Sequence, residues 1–255
     1  MKLVARPAAD SRAASATSGW LPYLLALLGG SVSTAIGLWL GQRLLLPVLQ
    51  VLAGYPVMAA LLGGGRRARA ILAMLVWAAA ISLTVIAWVL LDSQAGGDAI
   101  LFGPSYWQEM SRWVRTGVGC ESNPRCWLPQ HALHVSLFVV LGLASAGVGA
   151  LAMGALLMNY MSYYVGQLAS LSQQPLLVAG LGWPPWAVVR VVAFVILGAL
   201  VSEPLLLRLR FPQQARRSIA APTALALGLL LLDGLLKYTL ASAWRLLLVQ
   251  RVFAP

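Results

Sequence analysis

The chain has 255 residues, 60% of them hydrophobic and only 10% charged, with a mean hydropathy of +0.81. That balance lies far outside the soluble globular range and predicts an all-α, polytopic transmembrane helical bundle. A β-barrel is excluded as a good description, because barrel strands alternate apolar and polar residues and these runs do not. The net charge of +11 comes mostly from arginines clustered beside hydrophobic runs. Such clusters anchor helices at anionic headgroups, so the partner they imply is the lipid bilayer and not nucleic acid. Abundant Ala, Leu, Val, Arg and Trp point to a high-GC bacterial genome, and so to the bacterial cytoplasmic (inner) membrane as the expected location.

Met1–Gly19 is polar and carries Lys2, Arg6 and Arg12. The apolar stretch behind it outruns a signal-peptide core, and no small-residue cleavage site leads into a polar mature segment. It therefore reads as a flexible polar tail ahead of an uncleaved helix, with residues 20–255 as a single membrane-embedded domain. Trp20–Ala53 is apolar except for Gln42, Arg43 and Gln50. As one helix it would be about 50 Å long, more than a perpendicular span needs. One long tilted helix followed by an irregular Pro47/Gly54/Pro56 connection gives five spans. A break near Gln42–Pro47, with Leu44–Gly64 returning, gives six.

Gly63-Gly64-Gly65 with Arg66, Arg67 and Arg69 marks a loop, and Ala70–Leu91 is the next helix. The extramembrane segment 93–130 follows. Within it Ser105–Thr116 places Tyr106, Met110, Trp113 and Val114 at helical spacing, which predicts a short amphipathic interfacial helix. A third long helix is expected from His131 to about Gln167. Its Gly142, Ala146, Ala150 and Gly154, and the Ser33/Gly37/Gly41 row of the first helix, are small residues every four positions, the spacing that lets helices approach closely in lipid. Trp183-Pro184-Pro185-Trp186 opens a helix reaching Leu207. A basic loop, Arg208–Arg217, precedes a last helix from Pro222 to Val249. Orientation is contradictory at this level. Five spans concentrate positive charge on the inner side but put the cysteines in a reducing compartment. Six spans put the cysteines outside but even out the charge.

Charged residues at membrane depth are costly and mark functional sites. Arg190, Glu203, Asp233, Lys237 and, nearer an end, Arg245 are the ones present. Asp233 and Lys237 share a helix face and can pair. An ion pair locking that helix against Arg190 or against a polar face of the third long helix is the plainer reading, and a proton- or ion-coupled carboxylate or polar substrate site is the functional one. Arg190, Glu203 and Arg245 can reach an interface by snorkelling. Arg190 and Glu203 lie about 20 Å apart along one helix and cannot meet. Asn159, Tyr160, Tyr163 and Trp183 form a candidate pocket at the Arg190 end. Cys120 and Cys126 form a candidate disulfide. His131 and His134, one turn apart, read as interfacial anchors, with a weaker reading as metal ligands beside the cysteines. Phosphate-binding, zinc-hydrolase and serine-hydrolase motifs are missing, and no cofactor is indicated. The functional expectation is a transporter or permease component or a membrane scaffold, acting as a homo-oligomer or with a partner subunit. The alternatives are a redox, metal or haem protein using the His131/His134 and Cys120/Cys126 region, and an accessory subunit of a larger complex.

Overall fold

The computed structural model describes residues 19–210 and 218–253. The expected polar tail and the centre of the basic loop lie outside them, apart from Gly19. The elements run α1 Leu21–Leu40, α2 Leu45–Gly63, α3 Arg67–Leu91, α4 Ser93–Ala99, α5 Gly103–Thr116, α6 Pro124–Ala144, α7 Val148–Ser170, α8 Pro175–Leu181, α9 Pro185–Arg210 and α10 Ala220–Val252, with a 3-10 turn at Cys120–Ser122. Among the described residues seven helices, α1, α2, α3, α6, α7, α9 and α10, are long and apolar enough to cross a membrane. The chain is an all-α bundle of an integral, multi-pass membrane protein.

Seven long helices arise from five apolar regions because two regions fold back as hairpins. Trp20–Ala53 breaks at Gly41, which caps α1 with φ +66° and hands its N–H to the Leu38 carbonyl. Gly37 then lies against Leu46, and Gly29 against Ala53, so α1 and α2 are antiparallel. The expected single helix after His131 breaks at Ala146 and Gly147, with φ of 53° and 96°. An alanine in that region costs about 1–2 kcal/mol, and the surroundings hold it there. The Gly147 N–H donates to the Gly142 carbonyl at 2.8 Å. Ser145 Oγ donates to the Leu141 carbonyl at 2.6 Å and accepts the Gly149 N–H at 2.7 Å, joining the end of α6 to the start of α7. A side chain at Gly147 would strike Ser202 and Met58.

The small-residue rows serve these hairpins. Gly142 faces Ala150 of α7 and Val201 of α9, while Gly149 faces Leu141. In the first row Gly37 admits Leu46 of α2, and nearby Gly30 admits Trp77 and Ala80 of α3. The rows thus close neighbouring helices rather than each other.

The long helices alternate in direction. Met58 of α2, the α6–α7 turn and Ser202 of α9 meet at one end. There Arg67, at the start of α3, donates through Nε to Glu203 at 2.6 Å and through Nη1 to the Ser218 carbonyl at 2.9 Å. Glu203 therefore does not snorkel: it pairs with Arg67, which also holds the segment just before α10. The opposite end holds the α1–α2 turn, α4, α5, the 3-10 turn and α8, with Arg43 Nε bonded to the Asp98 carbonyl at 2.9 Å. At that end α5 turns Met110, Trp113 and Val114 onto the bundle instead of into lipid; all three are buried. Arg245 Nη1 holds the Val114 carbonyl at 3.1 Å, joining α10 to α5.

Candidate functional site

The site grows from the start of α9. Pro185 opens the helix, and Trp186 is buried edge-on against Trp244 of α10, with ring centroids 6.3 Å apart. Trp244 Nε1 donates to the Leu181 carbonyl at 3.0 Å. These contacts fix the register of α9 on α10 and set Arg190 opposite Asp233. Arg190 donates through Nε and Nη2 to the two carboxylate oxygens, each at 2.9 Å. That bidentate fork is the strongest geometry a guanidinium and carboxylate adopt. His131 Nδ1 stands 3.8 Å from Asp233 Oδ2. Asp233 is buried, so the pair is desolvated and breaking it would cost several kcal/mol, about 3–5.

Lys237 does not pair with Asp233, although the two share a face. It reaches Glu121 at 2.8 Å, and its ammonium lies 5.2 Å from the centre of the Trp127 ring. Glu121 arrives there because Cys120 and Cys126 are disulfide-bonded, with Cα atoms 5.3 Å apart, closing a small ring that carries it. Asn123 caps α6 from within the ring by accepting the Arg125 N–H at 3.1 Å, and Pro124 starts the helix. The sequence presents Glu121 only as one residue of a surface loop.

Beside this cluster is a cavity of about 110 Å³ between α6, α7 and α9, walled also by α2 and α3. Its chemistry is divided. Tyr106, Glu121, Gln130, His131, His134, Tyr160, Arg190 and Asp233 line one end, while Met58, Met74, Trp77, Phe138, Leu151, Phe194 and Val195 line the rest. From Arg190 to Gly198 the lining follows α9 for eight residues, about 12 Å at the helical rise. Phe138 and Phe194 meet edge-to-face at 4.7 Å on the apolar part. Gly54 makes room for the wall, since a side chain there would press on the Trp77 indole. Tyr106 lies against Tyr160 with centroids 4.6 Å apart and the rings tilted by 50°, and meets Tyr164 edge-on at 5.9 Å. Burial, reinforced by Glu121, pushes the Tyr106 phenol well above its ordinary pKa, so it stays a hydroxyl donor.

The four residues expected to form one pocket are divided among different surroundings. Tyr160 lines the cavity. Trp183 lines a smaller pocket that shares Tyr106, Glu121 and Arg190 with it. Tyr163 faces away, with its ring beside Gly97 and Gly103. Asn159 also faces away, toward α2, where its amide and that of Gln50 exchange two bonds of 2.8 Å, and Gln50 also donates to Thr34 Oγ1 at 2.9 Å. Gln50 is fully buried, yet in the sequence it only interrupts an apolar run. His131 and His134 line the cavity, away from the sulfurs' bond to each other. Among the described residues no group of three or more His, Cys, Asp and Glu side chains could hold a metal ion.

The class of protein is therefore an integral membrane bundle with a partly open, mostly apolar cavity that carries charged groups at one end. Comparison with protein-family models, with curated proteins and with solved structures found no match, so the site's chemistry carries the functional argument.

Proposed function

We propose that this chain is a transporter or permease component whose substrate site is the cavity between α6, α7 and α9. The observation that carries the reading is the Arg190–Asp233–His131 cluster on the cavity wall. A buried ion pair is costly to build in a bundle that apolar residues would stabilise as well, and this one is placed where a substrate would touch it. A purely structural pair would gain nothing from an adjoining cavity. Substrate sites near the middle of a bundle, between helices that can rock, are the common plan of membrane carriers.

The alternating helices also support an orientation. Counted along the sequence, the segments before α1, between α2 and α3 and between α9 and α10, with the helix turns beside them, contain ten basic residues, and the other segments outside the spans, with the first turn of α6 and the last turns of α10, contain six, Arg43, Arg112, Arg115, Arg125, Arg245 and Arg251. The disulfide lies at the end poorer in positive charge. With seven spans the positive-inside rule and the oxidising compartment a disulfide needs agree on one orientation, with the start of α1 inside and the cysteine ring outside.

The test is access to the cavity. In a Cys120→Ser/Cys126→Ser background, Leu157→Cys on α7 is exposed to a small membrane-impermeant thiol reagent in right-side-out and in inverted vesicles. A carrier predicts labelling from the ring side and, at a slower rate, from the side where α1 starts. Labelling from one side alone would contradict transport and leave a fixed binding site; labelling from neither would remove the cavity as a substrate site.

A further inference from the structure

The cavity's lining also specifies what it takes, an inference that rests on its being a substrate site. Arg190 has five N–H donors, and Asp233 engages two. The remaining three have no protein acceptor among the described residues, and neither do the Tyr106 and Tyr160 hydroxyls or the imidazoles' N–H groups. The two carboxylates at this end are both engaged, Asp233 by Arg190 and Glu121 by Lys237. Unclaimed donors thus dominate the polar end, and a planar guanidinium is fixed among them by its partner. Such an edge matches the oxygens of a carboxylate or phosphate, to which Arg donates in a fork. A cationic head would meet carboxylates already neutralised, and donors with nothing to accept them.

The side chains that line the rest of the cavity are apolar apart from the Trp77 indole, whose buried N–H has no protein partner. The cavity runs about 12 Å along α9 beyond Arg190, a length that suits an extended alkyl chain. We infer that the ligand is a single-chain amphiphile with an oxyanionic head, seated with its carboxylate or phosphate against Arg190, Tyr106 and Tyr160 and its alkyl chain between Phe138, Phe194 and Met58.

The experiment uses the full chain in lipid nanodiscs and calorimetric titration with five decyl-chain probes: decanoate, decyl phosphate, decanol, decyltrimethylammonium and a decyl-substituted benzoquinone. Decanoate and decyl phosphate are expected to bind at least about tenfold more tightly than the other three, the gain of one charge-assisted fork over a neutral contact. Decyl phosphate ahead of decanoate would name a phosphate head, and the reverse a fatty acid; either order supports the inference. Arg190→Gln alone leaves Asp233 uncompensated and risks unfolding, so the reporter is Arg190→Gln/Asp233→Asn, which keeps a hydrogen-bonded pair. It should erase the tenfold preference while decanol still binds. Tyr160→Phe should weaken the two anions several-fold and leave decanol unchanged. Equal affinity for all five probes, preference for the ammonium or the quinone, or an anion preference surviving the double variant would each overturn the inference. Binding of none of the probes, with Leu157→Cys still labelled from both sides, would overturn this ligand class while leaving the transport reading standing.

Discussion

Helix α7 presents two polar residues, one position apart in sequence, to two different fates, Asn159 buried and Tyr160 half-buried. Asn159 turns to α2 and enters a neutral network in which the Asn159 and Gln50 amides satisfy each other and Thr34 takes a further bond. Tyr160 turns to the cavity, toward a charged cluster whose donors are only partly claimed. The first network is closed, so its work is to hold α1, α2 and α7 in register; a satisfied network rigidifies and asks for nothing more. The second is open on one side, and unclaimed donors in a low-dielectric setting are a standing demand for a ligand. Polarity inside a membrane bundle therefore separates into lock and site by whether its hydrogen bonds are complete.

The largest expected effect comes from breaking the open cluster. Asp233→Leu leaves Arg190 buried without its partner and should lower stability by about 3–5 kcal/mol, read as an early thermal transition in detergent. Arg190→Leu/Asp233→Leu should recover most of that loss, because apolar replacements of a buried pair are often neutral, and should still lose ligand binding. Removing the ring by Cys120→Ser/Cys126→Ser should cost about 2 kcal/mol from loop entropy. It should also loosen Glu121 from Lys237, which faster proteolysis within 117–126 would report.

On the closed side, Asn159→Leu strands the Gln50 amide and should cost about 1–3 kcal/mol. Gln50→Leu/Asn159→Leu should restore much of it, and neither variant should alter labelling of Leu157→Cys. The smallest effect is Tyr160→Phe. Its hydroxyl has no protein partner to lose, so the thermal transition should move by the equivalent of less than about 0.5 kcal/mol while anion binding falls. A large stability loss there would show that Tyr160 belongs with the lock.

Much of this was legible in the sequence and some was not, for physical reasons. Long apolar runs announce a membrane bundle because water-exposed backbone is forbidden in hydrocarbon. The first hairpin is one of the two readings that Gln42, Arg43 and Pro47 allow, with its turn at Gly41, whereas the Ala146–Gly147 turn is hidden because no charged residue or proline marks it. Ser145 supplies the only side-chain bonds across the second one. Asp233 and Arg190 stood out because charge is rare at depth. Their pairing was anticipated as one option, whereas the Lys237–Glu121 and Arg67–Glu203 pairs were not, since each joins residues more than a hundred positions apart. Asn159 and Tyr160 look alike in sequence because both are polar on one helix, yet the one-residue step between them, a rotation of about 100°, sends them to different neighbours. Gln50 could have been matched to Asn159 only by knowing that α2 folds back.

Native mass spectrometry of the chain purified in mild detergent tests the central distinction most directly. The account predicts one single-chain amphiphile with a carboxylate or phosphate head per chain in the wild type and in Gln50→Leu/Asn159→Leu, and none in Arg190→Gln/Asp233→Asn. A wild-type chain that carries no such molecule, or a ligand lost equally from both double variants, would contradict it.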